Sequence, residues 1–150
     1  MVEINKAIKQ AQFKDNFFKA YINLIYTSNY FRDAFNTVFQ KYGITGQHYN
    51  VLRIIRGKHP EAITPGKIKE VMLDKGADLT RLLDKLERFG WIKRESCAGN
   101  RRMILIGVTS SGQEVINSID QEISLLSGDL KCLEDKEYGI ISDWLDKMRG

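Results

Sequence analysis

The segment that decides the fold covers residues 64–109 and reads TPGKIKEVMLDKGADLTRLLDKLERFGWIKRESCAGNRRMILIGVT. Thr64 followed by Pro65 predicts a helix start, because a threonine hydroxyl caps free N–H groups and proline fits the first helical position. After a turn at residues 74–76, leucines recur at i, i+3, i+4 and i+7, at positions 79, 82, 83 and 86. This spacing predicts a second helix that buries one face and ends at Gly90.

A β-hairpin is predicted directly after the second helix. Residues 91–95 alternate between apolar and polar side chains, and residues 103–109 are almost entirely apolar or β-branched. Gly99-Asn100 lies between the two runs, and such a pair favours a tight turn. The order helix, turn, helix and two-stranded ribbon is typical of proteins that bind DNA.

Positive charge is concentrated on this part of the chain. Residues 53–102 contain 13 basic and 7 acidic residues, whereas residues 103–150 contain 4 basic and 9 acidic residues, within a total net charge of +4. An excess of positive charge on one segment is expected where a protein contacts phosphates. The charge pattern therefore favours a nucleic-acid partner for the helix-turn-helix segment.

Residues 79–94 resemble the recognition helix and first wing strand of the multiple-antibiotic-resistance regulator (MarR) family. The wing signature of that family is Asp-x-Arg followed by Leu-Thr-x-x-Gly, and it is matched at positions 100–102 and 108–112 with two departures. Val108 replaces the leucine, which is a conservative change. Asn100 replaces the aspartate, which in the family pairs with the wing arginine, so Arg102 is expected to be held less firmly here.

The resemblance implies one mainly α domain with a small β-wing. Residues 45–109 would form a winged helix-turn-helix DNA-binding lobe, flanked by dimerisation helices within residues 1–42 and 110–150. Residues 4–42 read as a long helical region, either continuous or interrupted by a break, and hold 10 of the 15 aromatic residues. These aromatics cover more than one helix face, which favours burial against a second subunit over a purely monomeric core.

Shorter helices are predicted on both sides of the lobe. Thr45 is expected to cap a helix whose inward face carries four residues, namely His48, Val51, Leu52 and Ile55. The pairs Ser110/Gln113 and Ser111/Glu114 have capping-box spacing, so a helix is predicted to begin there and to end near Gly128. A last helix carries an apolar stripe of Ile140, Ile141, Trp144, Leu145 and Met148.

The major groove of B-DNA admits one helix, so the second helix is predicted to enter it from Lys75 to Arg88, N-terminal end first. Arg81 suits bidentate donation to guanine, and Asp78 suits acceptance from cytosine. The resemblance places Arg102 in the adjacent minor groove. The complete set of predicted DNA-contacting residues is Thr64, Lys67, Lys75, Asp78, Thr80, Arg81, Lys85, Lys93, Asn100, Arg101 and Arg102.

The function predicted is a sequence-specific regulator of transcription that binds double-stranded DNA. It would act as a homodimer on a pseudo-palindromic operator with half-sites roughly 10 bp apart. The resemblance favours a repressor that is released by a small aromatic or phenolic effector. Two alternatives stay open: a winged-helix module for protein-protein contact, and a thiol-based redox sensor at Cys97, whose basic neighbours favour a reactive thiolate.

An enzyme is not expected, because no nucleophile-base set, glycine-rich phosphate loop or paired-carboxylate site is apparent. No cofactor is expected either, and the two histidines lack partners at metal-ligand spacing. A cytoplasmic location is expected, since no apolar run is long enough to cross a membrane and the N-terminus lacks a secretory pattern.

Overall fold

The structure is a computed structural model that describes residues 2–97 and 100–150, and for residues 97 and 100–102 it describes the backbone only. The described elements are, in chain order, α1 Ile4–Ala7, α2 Asn16–Lys41, α3 Gly46–Arg56, α4 Pro65–Val71, α5 Leu79–Arg88, β1 Ile92–Cys97, β2 Asn100–Val108, α6 Ser110–Leu130 and α7 Asp135–Arg149. The predicted fold class, mainly α with a small β-wing, is confirmed. Among the described residues, no helix is long and apolar enough to cross a membrane.

The main hydrophobic core lies under the helix-turn-helix. Its buried residues include Val51, Leu52 and Ile55 of α3, Leu82, Leu83 and Leu86 of α5, and Ile68, Ile106 and Ile116. Leu79 is half-buried and packs against this core, and His48, the fourth predicted inward residue of α3, is also buried. Ile63 pairs with Ile106 of β2 through two backbone hydrogen bonds of 2.9 and 2.8 Å. This bridge joins the segment before α4 to the wing, and the sequence pattern did not indicate it.

A second core cluster joins α2 to α6. Val38, Phe39, Ile44 and Ile119 are buried in it, and Phe35 and Tyr42 pack against them. The predicted break in the N-terminal helical region is confirmed, because α2 begins only at Asn16. Asp15 caps it, with its carboxylate accepting a 2.7 Å hydrogen bond from the Phe18 N–H.

Polar contacts join α6 to α3 and to the end of α2. The Tyr49 hydroxyl donates to Asp120, and an Arg56 nitrogen lies 2.8 Å from the same carboxylate. Burial, with the hydrogen bond to Asp120 as the second cause, raises the pKa of Tyr49 to about 12. On the α2 side, Lys41 and Tyr42 donate to Glu122 over 2.5 and 2.7 Å. Through these contacts, α6 connects α2 with α3, which packs against the helix-turn-helix.

The start of α6 differs from the prediction. The residue that caps it is Thr109, whose hydroxyl oxygen accepts from the Gly112 N–H at 3.1 Å, so neither Ser110 nor Ser111 is the cap. The backbone of Thr109 is extended, as a capping residue requires, whereas both serines already lie inside the helix. The predicted end near Gly128 agrees with the observed end at Leu130 to within two residues.

Candidate nucleic-acid interface

The helix-turn-helix begins at α4 as the sequence predicted. The Thr64 hydroxyl accepts from the Lys67 N–H over 3.4 Å, and Pro65 occupies the first helical position. Lys67 itself is exposed, and Thr64 is half-buried. A capped helix start with an adjacent lysine suits an anionic partner, because free N–H groups and positive charge converge there.

The turn before the recognition helix is held by its own side chains. Asp74 accepts hydrogen bonds from the Gly76 N–H at 2.9 Å and from the Gln47 amide at 2.6 Å. The Lys75 ammonium donates to the carbonyls of Lys69, at 3.2 Å, and Glu70, at the C-terminal end of α4. Lys75 thus lies in the turn and stabilises the preceding helix, and the recognition helix α5 starts four residues later than Lys75, at Leu79.

Helix α5 divides its surface as the leucine spacing predicted. Leu82, Leu83 and Leu86 are buried, and the opposite side is exposed. We call this side the reading face. It consists of four exposed residues, Thr80, Arg81, Asp84 and Arg88, and of Lys85, which is half-buried. Asp78 caps the helix, its carboxylate accepting from the Arg81 N–H at 3.2 Å, so Asp78 has a structural role whether or not it also contacts a base.

Lys85 of the reading face lies close enough to His48 of α3 to affect its charge state. His48 closes a capping box at the start of α3, with its Nδ1 accepting from the Thr45 N–H at 3.3 Å. Burial lowers the pKa of His48, and the positive charge of Lys85 lowers it further. Lys85 also lies with its ammonium 5.7 Å from the centre of the Phe89 ring. The Lys85 side chain therefore extends along α5 toward the Phe89 ring.

The wing forms the predicted antiparallel hairpin. Ile92 pairs with Val108 and Arg94 with Ile106, and the register shifts between Ser96 and Cys97. The Lys93 ammonium lies 2.7 Å from Glu95, so this predicted DNA contact has a carboxylate neighbour on its own strand. The side chains of Asn100, Arg101 and Arg102, and the Cys97 thiol, fall outside the described residues.

One basic residue near the reading face was missed by the sequence prediction. The Arg94 guanidinium lies 2.7 Å from Asp84 and 3.4 Å from Glu87, so a residue of β1 bridges two residues of α5. The signal for this contact was present in the sequence. Two acidic residues spaced i, i+3 on a helix offer one face to a basic residue of the strand that follows.

A large cavity lies between α2, α3 and the turn before α5. Its volume is about 990 Å³, and it is lined by Ser28, Arg32, Phe35, Asn36, Phe39, Thr45, Gly46, Gln47, Tyr49, Asn50, Arg53, Ile54, Met72, Leu73, Asp74 and Ile123. Two arginines and three aromatic rings therefore share one space. The Arg53 guanidinium lies 5.8 Å from the centre of the Tyr49 ring. The sequence showed that the N-terminal helical region is rich in aromatic residues, but it did not show that some of them line a cavity.

Comparison with known proteins agrees with this arrangement. The sequence profile of the MarR family matches residues 42–103. The regulator PecS of Dickeya dadantii is 33% identical over 90 residues, which are 59% of this chain and 54% of PecS. The multiple antibiotic resistance protein MarR of Salmonella typhimurium is 35% identical over 100 residues, which are 65% of this chain and 67% of that protein. The match thus spans about half the length of PecS and two thirds of that MarR.

A solved structure extends the likeness over most of the chain. A mutant MarR from Escherichia coli, complexed with operator DNA, superposes with a TM-score of 0.71 at 31% identity, over 84% of this chain and 91% of that one. The chain therefore belongs to the MarR family of winged helix-turn-helix transcriptional regulators.

Proposed function

We propose that this chain is a sequence-specific regulator of transcription that binds double-stranded DNA, with α5 in the major groove and Arg102 in the adjacent minor groove. The observation that carries the proposal is the reading face. Its Thr80 and Arg81 are exposed at the N-terminal end of α5, while the leucines behind them are fixed in the core. A helix held rigidly from behind and exposed in front is what recognition of base edges requires.

The remaining predicted contacts surround this helix. Thr64 and Lys67 lie at the start of α4, and Lys93 lies on the first wing strand. They suit phosphate contacts, which position a protein on the duplex without reading sequence. A relative, the mutant MarR of Escherichia coli, has been solved in complex with operator DNA, and this supports the same partner for the present chain.

The test is binding of the purified protein to duplex DNA by fluorescence anisotropy, with duplexes obtained by selection from a random library. We expect the selected duplex to bind more tightly than a scrambled one and to lose affinity steeply as salt rises, because phosphate contacts release counterions. Arg81→Ala should cost about 1–3 kcal/mol on the selected duplex only. Lys41→Gln, on α2, is the matched control that removes one positive charge outside the reading face. Absence of binding to every duplex at low salt would favour the protein-contact module.

We infer that the active species is a homodimer. Helix α7 leaves Ile140, Trp144 and Met148 exposed, with Trp144 at 61%, and none of its described residues is buried. The first half of α2 similarly exposes Phe17, at 71%, and Tyr21. Contiguous apolar surface of this kind marks an interaction site. A second copy is the partner that also supplies a second recognition helix for a pseudo-palindromic operator.

Analytical ultracentrifugation tests the dimer. Trp144→Glu should yield a monomer with much weaker operator binding, because a charge would be buried at the interface. Ser142→Glu places the same charge on the other side of α7 and should leave the dimer intact. A wild-type protein that sediments as a monomer at micromolar concentration would contradict the proposal.

The cavity supports release by a small aromatic acid. Arg32 and Arg53 offer guanidinium groups for a carboxylate, and the rings of Phe35, Phe39 and Tyr49 offer apolar walls for an aromatic ring. The cavity volume lies at the upper end of the range for small-molecule sites. The turn residues of the recognition helix also line it, so a bound molecule would contact the segment that sets the position of α5.

Calorimetric titration with 4-hydroxybenzoate tests this site. We expect binding that weakens in Arg53→Gln and that lowers operator affinity, with benzyl alcohol, which lacks the carboxylate, as the control ligand. Equal binding of both compounds would exclude recognition of the carboxylate.

We also propose that the protein represses transcription. Expression of a reporter gene placed under the operator should then rise when the gene for this protein is deleted and fall when the gene is restored.

A further inference from the structure

The charges of the recognition helix do not by themselves favour DNA. From the capping residue to the end of the helix, residues 78–88 contain three basic and three acidic residues, a net charge of zero. Two of the acidic residues, Asp84 and Glu87, lie on the helix itself, 54% and 41% exposed at their side chains. Unneutralised carboxylates in a groove bordered by phosphates would oppose binding, since charges closer than about 8 Å are poorly screened at physiological salt.

Arg94 of β1 places a positive charge next to the two carboxylates of α5. It lies on β1, opposite Ile106 of β2, and its guanidinium contacts Asp84 with one nitrogen and Glu87 with the other, at 2.7 and 3.4 Å. Its side chain is only 27% exposed, less than either carboxylate. The planar fork of a guanidinium suits such a bridge better than a lysine ammonium would, because its donors are fixed in two directions.

We propose that Arg94 is a positioning residue for DNA binding. It pairs with the two carboxylates of α5, offsets one of their two negative charges and fastens the wing strand to the recognition helix, so that the basic residues of the reading face meet phosphates against less opposing charge. The proposal rests on the proposed DNA-binding function and goes beyond it, because Arg94 is assigned no contact with DNA. Its effect passes through Asp84 and Glu87.

A purely stabilising role would have a different signature. Partly exposed ion pairs contribute little to folding stability, so loss of the bridge should change the melting temperature only slightly. The neutralising role instead affects the number of counterions released on binding. Each effective positive charge lost should make the slope of log affinity against log salt shallower by about 0.9.

The experiment compares wild type, Arg94→Gln, the triple variant Arg94→Gln/Asp84→Asn/Glu87→Gln, and the control Lys41→Gln. Lys41 also pairs with a carboxylate, Glu122 at 2.5 Å, but joins α2 to α6. Affinity for the selected duplex is measured across a salt series, and folding is followed by thermal melting. We expect Arg94→Gln to bind about tenfold more weakly, with the shallower slope and a nearly unchanged melting temperature. The triple variant loses one positive and two negative charges, so it carries one more positive charge than wild type and should bind at least as tightly as wild type. Lys41→Gln should stay close to wild type in affinity and in the slope against salt.

The outcomes separate this proposal from the one on which it rests. If the wild type binds no duplex, the proposed function fails, and the role of Arg94 fails with it. If the wild type binds and Arg94→Gln binds equally well, the role of Arg94 is refuted while DNA binding stands. If the triple variant is as weak as Arg94→Gln, neutralisation of the two carboxylates is refuted, because removing them has not helped.

Discussion

Replacing Gly112 with alanine tests the close contact between α6 and the wing. A Cβ atom at this position would lie 2.0 Å from the Trp91 carbonyl oxygen, and 2.9 Å from both the Trp91 carbonyl carbon and a methyl group of Val108. The backbone of Gly112 is ordinary helix, so the requirement for glycine comes from space and not from a positive φ. The substitution therefore forces the helix and the carbonyl apart.

The size of the effect follows from these distances. Non-bonded carbon atoms prefer separations of roughly 3.5–4.0 Å, so α6 and Trp91 must separate by at least about 1 Å. That movement strains a packed core, at about 1–3 kcal/mol. It also weakens the 3.0 Å hydrogen bond from the Thr109 N–H to the Trp91 carbonyl, which adds about 1 kcal/mol. We expect Gly112→Ala to lower the free energy of unfolding by about 2–4 kcal/mol and the melting temperature by on the order of 10 °C.

Urea unfolding followed by circular dichroism measures this difference, at one protein concentration because a dimer's stability depends on concentration. Gly128→Ala is the matched control on the same helix, where an added Cβ meets nothing within 4 Å. This control should be more stable by about 0.5–1 kcal/mol, since alanine is the better helix former. A free energy of unfolding of Gly112→Ala within about 0.5 kcal/mol of the wild-type value would show that the added methyl group is accommodated without a clash.

Three further measurements probe other contacts. Thr109→Val should destabilise the fold by about 1–3 kcal/mol in urea unfolding, because the hydroxyl caps α6 and donates to the Gly90 carbonyl at 2.6 Å; Ser110→Ala, one residue further on, should be nearly neutral. Burial holds the pKa of His48 below its ordinary 6.5. The stability that neutral His48 contributes should therefore be present above pH 6.5 and be lost as pH falls through the folded-state pKa. Melting temperatures measured across this pH range should depend less on pH in His48→Gln. The hydrogen bonds from Lys41 and Tyr42 hold the pKa of Glu122 below its ordinary 4.5. Glu122→Gln should therefore melt at a lower temperature than wild type at pH 7, and the two melting temperatures should converge as pH falls through the lowered pKa. A difference in melting temperature that does not change with pH would contradict a stabilising role of these hydrogen bonds.

The parts of the fold that the sequence predicted are those set by local patterns. Leucine spacing located α5, the Thr64-Pro65 pair located the start of α4, and the apolar runs around Gly99-Asn100 located the hairpin. Each pattern acts within a few residues, so it can be recognised without knowing the tertiary structure. The start of α6 was misassigned for the same reason: several hydroxyl residues in a row had suitable spacing. The choice of Thr109 depends on its contacts with Gly90 and Trp91, which are distant in sequence.

The candidate site was predictable only as a list of side-chain types. Basic residues on an exposed helix face suggested DNA, but the lysines and arginines differ in what they contact. Lys75 is committed to the carbonyls at the end of α4, Lys93 is paired with Glu95, and Arg94 joins two elements. Arg81 extends from the exposed face of α5. These differences arise because each side chain competes for partners from neighbouring elements, and sequence spacing alone does not give their positions.

In the function proposed here, the family signature and the specificity for an operator are carried by different residues. Thr109 of the signature caps α6 and donates to the Gly90 carbonyl, and Gly112 leaves no room for a side chain beside the Trp91 carbonyl; both contacts fix the wing against α6. Such residues must be similar in any protein that builds this junction, whichever DNA it binds. Thr80 and Arg81 face outward and have no comparable structural duty, so they are free to vary with the sequence that is read. Membership of the family therefore concerns the scaffold that presents α5, and we expect the base preference to depend on the residues of the reading face.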